Sequence, residues 1–80
     1  MQQLVTTPAQ LGEILRGRRK ARGIPQRELA QKLGVSQNRL SALESNPERM
    51  TLDRLIAAAN LLGLEIVVRD RTAKHTTPEW

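Results

Sequence analysis

The segment from Ser36 to Ala42 carries side chains suited to reading a polar surface without reacting with it: Ser36, Gln37, Asn38, Arg39, Ser41 and Ala42. Amides such as Gln37 and Asn38 pair bidentately with the edge of adenine, a guanidinium such as Arg39 with guanine, and a methyl such as that of Ala42 packs on the thymine methyl. Charge accumulates just before and within this row. Between Arg16 and Arg39 the basic residues Arg16, Arg18, Arg19, Lys20, Arg22, Arg27, Lys32 and Arg39 stand against the single acid Glu28, while the rest of the chain is slightly acidic. The formal net charge of +5 thus belongs to one region, and the sequence pI of about 11.1 favours a polyanionic partner.

Catalytic chemistry lacks its usual groups. The one histidine is His75, near the end of the chain, and there is no cysteine, no evident carboxylate pair and no metal-ligand cluster. Neither a cofactor nor a metal is expected, and an enzyme reading is weak. The absence of thiols suits a reducing compartment. The opening MQQLVTTPAQ lacks the basic start and long apolar stretch of a signal peptide, and no later apolar run approaches the roughly 20 residues that span a bilayer. No membrane partner is expected, because the basic end of the first helix also lacks the broad apolar face of a membrane-surface helix. Trp80 is the only aromatic residue, so the stacking platforms of single-strand and RNA readers are missing and duplex DNA remains. A chain of 80 residues is one domain at most. Folding buries only about three-fifths of the surface of so short a chain, which makes dimerisation an attractive source of stability.

Four helices must position these groups. Thr7-Pro8-Ala9-Gln10 reads as a capped helix start, with the helix running to about Ala21, Leu11, Ile14 and Leu15 inward, and Gly12 and Gly17 weakening it. After Gly23 a second helix begins near Gln26, carries Leu29, Ala30 and Leu33 at helical spacing, and stops at Gly34. Ser36 caps a third helix to about Ser45, with Leu40 and Leu43 inward. Residues 46–50 have loop character. Thr51 is expected to cap a fourth helix with Leu52, Leu55, Ile56, Ala59 and Leu62 as one apolar stripe, closed by Gly63. Residues 64–69 are β-branched and partly alternating, which favours a short strand; no second strand is evident, so its partner is expected to be another copy.

The second and third helices, joined by only Gly34, Val35 and Ser36, meet the requirements of a helix-turn-helix. Ala30 is small where the helices cross, Gly34 allows a positive φ at the turn, and Leu29, Leu33, Val35, Leu40 and Leu43 fall at positions that must be buried. The third helix then enters the major groove with its N-terminal residues at base edges.

The stretch ARGIPQRELAQKLGVSQNRLSALE resembles the core pattern of the repressor family that includes phage repressors, Cro and many antitoxins, and the likeness covers roughly Leu11 to Gly63. Within that group the chain is similar to antitoxins of the HipB type, which pair with a HipA-like kinase toxin. That similarity rests on Thr7-Pro8-Ala9-Gln10-Leu11, on Glu44-Ser45-Asn46-Pro47 with Thr51-Leu52 beyond, on the strand after Gly63 and on Glu79-Trp80. The resemblance implies that Gln37 reads a base, that Arg19 and Glu44 form an ion pair between the first and third helices, and that Leu64, Ile66, Val67 and Val68 form a two-stranded sheet across a dimer axis. It also implies that Trp80 contacts the toxin. Phosphate contacts are expected from Gln26, Arg27 and Asn46, with Arg22 as a further candidate. One departure is Pro25, where the family usually has Thr or Ser, so the second helix loses a side-chain cap worth around 1 kcal/mol.

The expected fold is all-α: a compact four- to five-helix bundle with a helix-turn-helix and a short C-terminal strand pairing in a dimer. Residues 1–69 would form the DNA-binding and dimerisation domain and residues 70–80 a flexible tail. The implied function is a homodimeric repressor of double-stranded operator DNA in the bacterial cytoplasm, associated with the nucleoid. It would serve as antitoxin to a HipA-like kinase or, alternatively, as a stand-alone phage-type or metabolic repressor.

Overall fold

A computed structural model of the chain describes residues 1–71. Four α-helices follow one another: α1 (Pro8–Ala21), α2 (Gln26–Leu33), α3 (Gln37–Ser45) and α4 (Leu52–Leu61), with a single 3-10 turn at Pro47–Arg49 between the last two. The start of α1 is a complete capping box. Thr7 Oγ1 accepts from the Gln10 N–H at 3.2 Å, and Gln10 Oε1 accepts in return from the Thr7 N–H at 3.3 Å and the Thr6 N–H at 2.7 Å. Pro8 fills the first helical position, where its missing N–H costs nothing.

The turn between α2 and α3 closes through Gly34 at φ +74°. The Val35 N–H reaches back to the Ala30 carbonyl at 3.0 Å and the Gly34 N–H to that of Gln31 at 3.2 Å, so the last carbonyls of α2 are satisfied. Ser36 then caps α3 by accepting from the Arg39 N–H at 3.0 Å. Pro25 makes no side-chain cap, and α2 begins on its carbonyl, which accepts from the Glu28 and Leu29 N–H groups.

The core is one cluster of Leu15, Leu29, Ala30, Leu33, Leu40, Ala58 and Leu62, with Leu11, Ile24, Val35, Met50, Leu55 and Leu64 packed around it. Each burial removes apolar surface from water at about 25 cal/mol per Å². Gly12 is buried as well, and it is more than a weak point in α1. A Cβ there would lie 2.5 Å from the Glu44 carbonyl oxygen and 2.9 Å from Pro47 Cγ, so a missing side chain lets α1 close on the end of α3.

Two expectations need correction, and a third concerns a pairing that a single chain does not contain. The α4 stripe is split: Leu55, Ala59 and Leu62 face the core or its edge, but Leu52 is 70% and Ile56 43% exposed. Thr51 holds the N-cap position of α4 without a side-chain cap bond. Asp53 stands in the first turn, where a negative charge suits the positive end of the helix dipole. Its carboxylate accepts from the Thr51 side chain and from the Arg54 N–H, which hold its carboxyl below the ordinary range. Finally, residues 64–71 form no strand within the single chain, and no strand occurs among the described residues. Val67 and Val68 stand 71% and 95% exposed. The all-helical part of the expected fold is present. Most of the expected tail, including His75 and Trp80, lies outside the described residues.

Candidate nucleic-acid interface

The helix-turn-helix geometry divides α3 into two faces. Leu40, Leu43 and Glu44 are buried, which turns the opposite side to solvent. At about 100° per residue, Gln37, Asn38, Ser41 and Ala42 share that outward side, and all are exposed. Ser45 continues it one turn past Ser41. Arg39 is exposed too, at the opposite edge of that side from Gln37. Ser36 sits at the tip, its oxygen engaged in capping.

Behind this face lies a cluster built on one carboxylate. Glu44 projects inward from the last turn of α3, with 2% of its side chain exposed. Arg19, on α1, donates from Nε to Oε2 at 2.7 Å and from Nη2 to Oε1 at 3.3 Å, and its Nη1 holds the Ile24 carbonyl at 3.0 Å. Gln26, the first residue of α2, donates from Nε2 to Glu44 Oε1 at 2.9 Å. Arg16 approaches the same oxygen at 3.6 Å and donates from Nη2 to Ser45 Oγ at 3.2 Å. Burial pushes the Glu44 carboxyl up, but the Arg19 and Gln26 hydrogen bonds and the charges of Arg19 and Arg16 outweigh it, and the group is held below the usual range. A buried ion pair is stabilising only when its remaining lone pairs are satisfied. Here α1 and α2 supply the donors to a carboxylate of α3, so the cluster fixes the α1–α2–α3 angles that present the outward row.

The helix-turn-helix family profile matches residues 15–68, which spans both helices, the turn and the cluster. The chain belongs to the helix-turn-helix family. Antitoxin HipB of Escherichia coli K12 is 34% identical over 77 residues, covering 96% of this chain and 85% of that protein. Antitoxin HipB of Escherichia coli O6:H1 strain CFT073 is 32% identical over 77 residues, covering 96% of this chain and 80% of that protein. As a helix-turn-helix protein the chain is a DNA-binding regulator and not an enzyme.

Within this helix-turn-helix the remaining candidate residues are placed unequally. Arg27 is exposed in the first turn of α2. The Asn46 side chain turns back to donate to the Ala42 carbonyl at 3.3 Å, closing α3. Arg22 stands apart: its guanidinium lies against Gly63, beyond the end of α4. Arg18, on the same side of α1, donates from Nε to the Leu62 carbonyl at 3.2 Å, and Arg54 likewise donates to the Leu33 carbonyl at 3.4 Å. Both cations answer the orphan carbonyls and negative dipole ends of helix C-termini. Sequence reasoning missed Ser45, although its i+4 spacing from Ser41 announced it. It also missed the link from Gln26 to Glu44, for which 18 residues of separation leave no local signal.

Proposed function

We propose that this chain binds operator DNA as a homodimer and represses its own operon as the antitoxin of a HipA-like kinase. The carrying observation is the outward row of Gln37, Asn38, Ser41 and Ala42 on a helix whose angle is set by the buried Glu44 cluster. In this reading the row and the tip residues Ser36 and Arg39 read base edges, while Arg27, the α2 start at Gln26 and Asn46 set register on phosphates. Arg19 and Glu44 act structurally, and Arg22 contributes field rather than contact.

The exposed apolar residues support the dimer. Leu52 and Ile56, one turn apart on α4, and Ile66, Val67 and Val68 leave a surface that one copy does not cover. A second copy covers it best if residues 64–68 of each protomer pair as strands, giving the unpaired backbone its partners. Similarity to antitoxin HipB along 96% of the chain supports the kinase partner, with Trp80 as the contact, and a cytoplasmic site of action.

The test is titration of the full chain against duplexes from upstream of its own gene, with footprinting and sedimentation. Two protected half-sites about 34–36 Å apart or a multiple of that, bound by a dimer, are expected. A single unpaired half-site would contradict the dimer. A kinase gene beside its own, or co-purification with a kinase, distinguishes the antitoxin from a stand-alone repressor.

A further inference from the structure

The Glu44 cluster contains one cation more than it needs. Arg19 already engages the carboxylate with two hydrogen bonds and Gln26 adds a third, so its charge and most of its lone pairs are matched before Arg16 is counted. Arg16 stays beyond hydrogen-bond distance of Glu44, at 3.6 Å, and keeps 39% of its side chain exposed. Its definite bond is to Ser45 Oγ at 3.2 Å, on the outward side of α3. Glu44 is buried, but with Arg16 itself 39% exposed and screened by solvent the pair is worth little more than an exposed one, about 0–1 kcal/mol to the fold. The placement is nevertheless specific: the guanidinium is held at the end of α3, on Ser45 and beside the Glu44 oxygen that Gln26 also reaches, next to the face that carries the base-reading row.

We propose that Arg16 is a phosphate-binding residue of the DNA interface, with Glu44 and Ser45 as the positioning groups that hold its guanidinium ready. This rests on the DNA-binding reading above and adds a residue to it. Arg16 is pre-organised by an oxygen that does not need its charge, so little side-chain freedom is lost when a phosphodiester of duplex DNA takes up its remaining donors. Ser45 Oγ accepts from Arg16, which leaves its own O–H to donate to the same phosphate. The ligand is a backbone phosphate flanking the bases that α3 reads, so Arg16 contributes affinity and register but no sequence preference.

The experiment compares the full chain with Arg16→Gln and Arg16→Lys, measuring binding to operator and random duplexes across a salt series, together with thermal unfolding. Arg16→Gln should weaken both duplexes by the same factor and flatten the log K against log salt slope by about 0.9 per protomer bound. From 50 to 200 mM salt the wild-type advantage then shrinks about three- to fourfold for each protomer. Arg16→Lys, which keeps the charge, should restore the slope. Melting should fall by less than about 4–8 °C, the shift that 1 kcal/mol produces in a domain of this size. An unchanged slope in Arg16→Gln overturns the assignment, as does failure of that variant to fold, since Arg19 and Gln26 must hold Glu44 without it. If the wild type binds no duplex at low salt, the DNA-binding reading itself falls, which the wild-type titration reveals separately.

Discussion

Replacing Gly12 with alanine should destabilise the protein even though alanine is the better helix former. In an open helix interior the exchange gains about 1 kcal/mol. At this position the new Cβ would stand 2.5 Å from a backbone oxygen of α3 and 2.9 Å from the Pro47 ring. Neither neighbour is the loose end of a flexible side chain, so α1 must back away from α3, and overpacking of this kind costs about 1–3 kcal/mol. With two rigid obstacles the upper half of that range applies, and the net loss is about 1–2 kcal/mol. Gly17 provides the internal control. It lies in the same helix, with nothing within 4 Å of its would-be Cβ, and Gly17→Ala should gain about 0.5–1 kcal/mol. Urea denaturation of both variants followed by far-UV circular dichroism, at one protomer concentration because dimerisation couples to folding, should separate them by about 1.5–3 kcal/mol. Equal stabilities would refute the close approach of α1 to α3, and with it the account of how Glu44 is enclosed.

Two further outcomes follow from the interface. Gln37→Ala should reduce the preference for operator over random duplex by about 1–3 kcal/mol, whereas Arg27→Ala should weaken both alike and flatten the salt dependence, as competitive binding titrations would read directly; equal loss of preference in both would abolish the division between base and phosphate contacts. For Glu44 the folded pKa lies below that of the unfolded chain, because the Arg19 and Gln26 hydrogen bonds outweigh burial. Its contribution is therefore present above the unfolded value of about 4.3 and is lost as pH falls through the lower folded value. Glu44→Gln should accordingly lose stability less steeply over that acid range, and parallel curves for the two proteins would assign the acid sensitivity to other carboxylates.

What the sequence makes legible is what short-range chemistry decides. Thr7, Pro8 and Gln10 specify a helix start among themselves, Gly34 takes a φ that a side chain resists, and Ser36 sits three residues before the N–H it caps. The outward row on α3 follows from the positions of Leu40 and Leu43 alone. The features that escape such reading depend on distant partners. Gly12 is indistinguishable from a helix weakness until Glu44 and Pro47 arrive against it. Leu52 and Ile56 have the periodicity of a core stripe, and whether that stripe meets its own core or another copy is not a property of α4. Residues 64–68 have the composition of a strand, but a strand exists only in a pair.

Charge shows the same divide between composition and structure, with a consequence for DNA affinity. Of the eight cations between Arg16 and Arg39, Arg19 is buried against Glu44, Arg18 is bonded to the Leu62 carbonyl, Arg22 lies on Gly63, and Lys32 is 3.7 Å from Glu28. All still add to the long-range field that steers association. Direct neutralisation of phosphates falls to Arg16 and Arg27, with Lys20 and Arg39 as further exposed cations that bond to no other side chain or carbonyl among the described residues. For a dimer, two such charges per protomer give a log K against log salt slope of about −3.6, and four give about −7, whereas eight would give about −14. A measured slope between about −3.6 and −7 is expected. A steeper one would mean that cations committed here to helix ends and to Glu44 leave their partners on binding, and that the cluster behind α3 is not the fixed frame on which the interface depends.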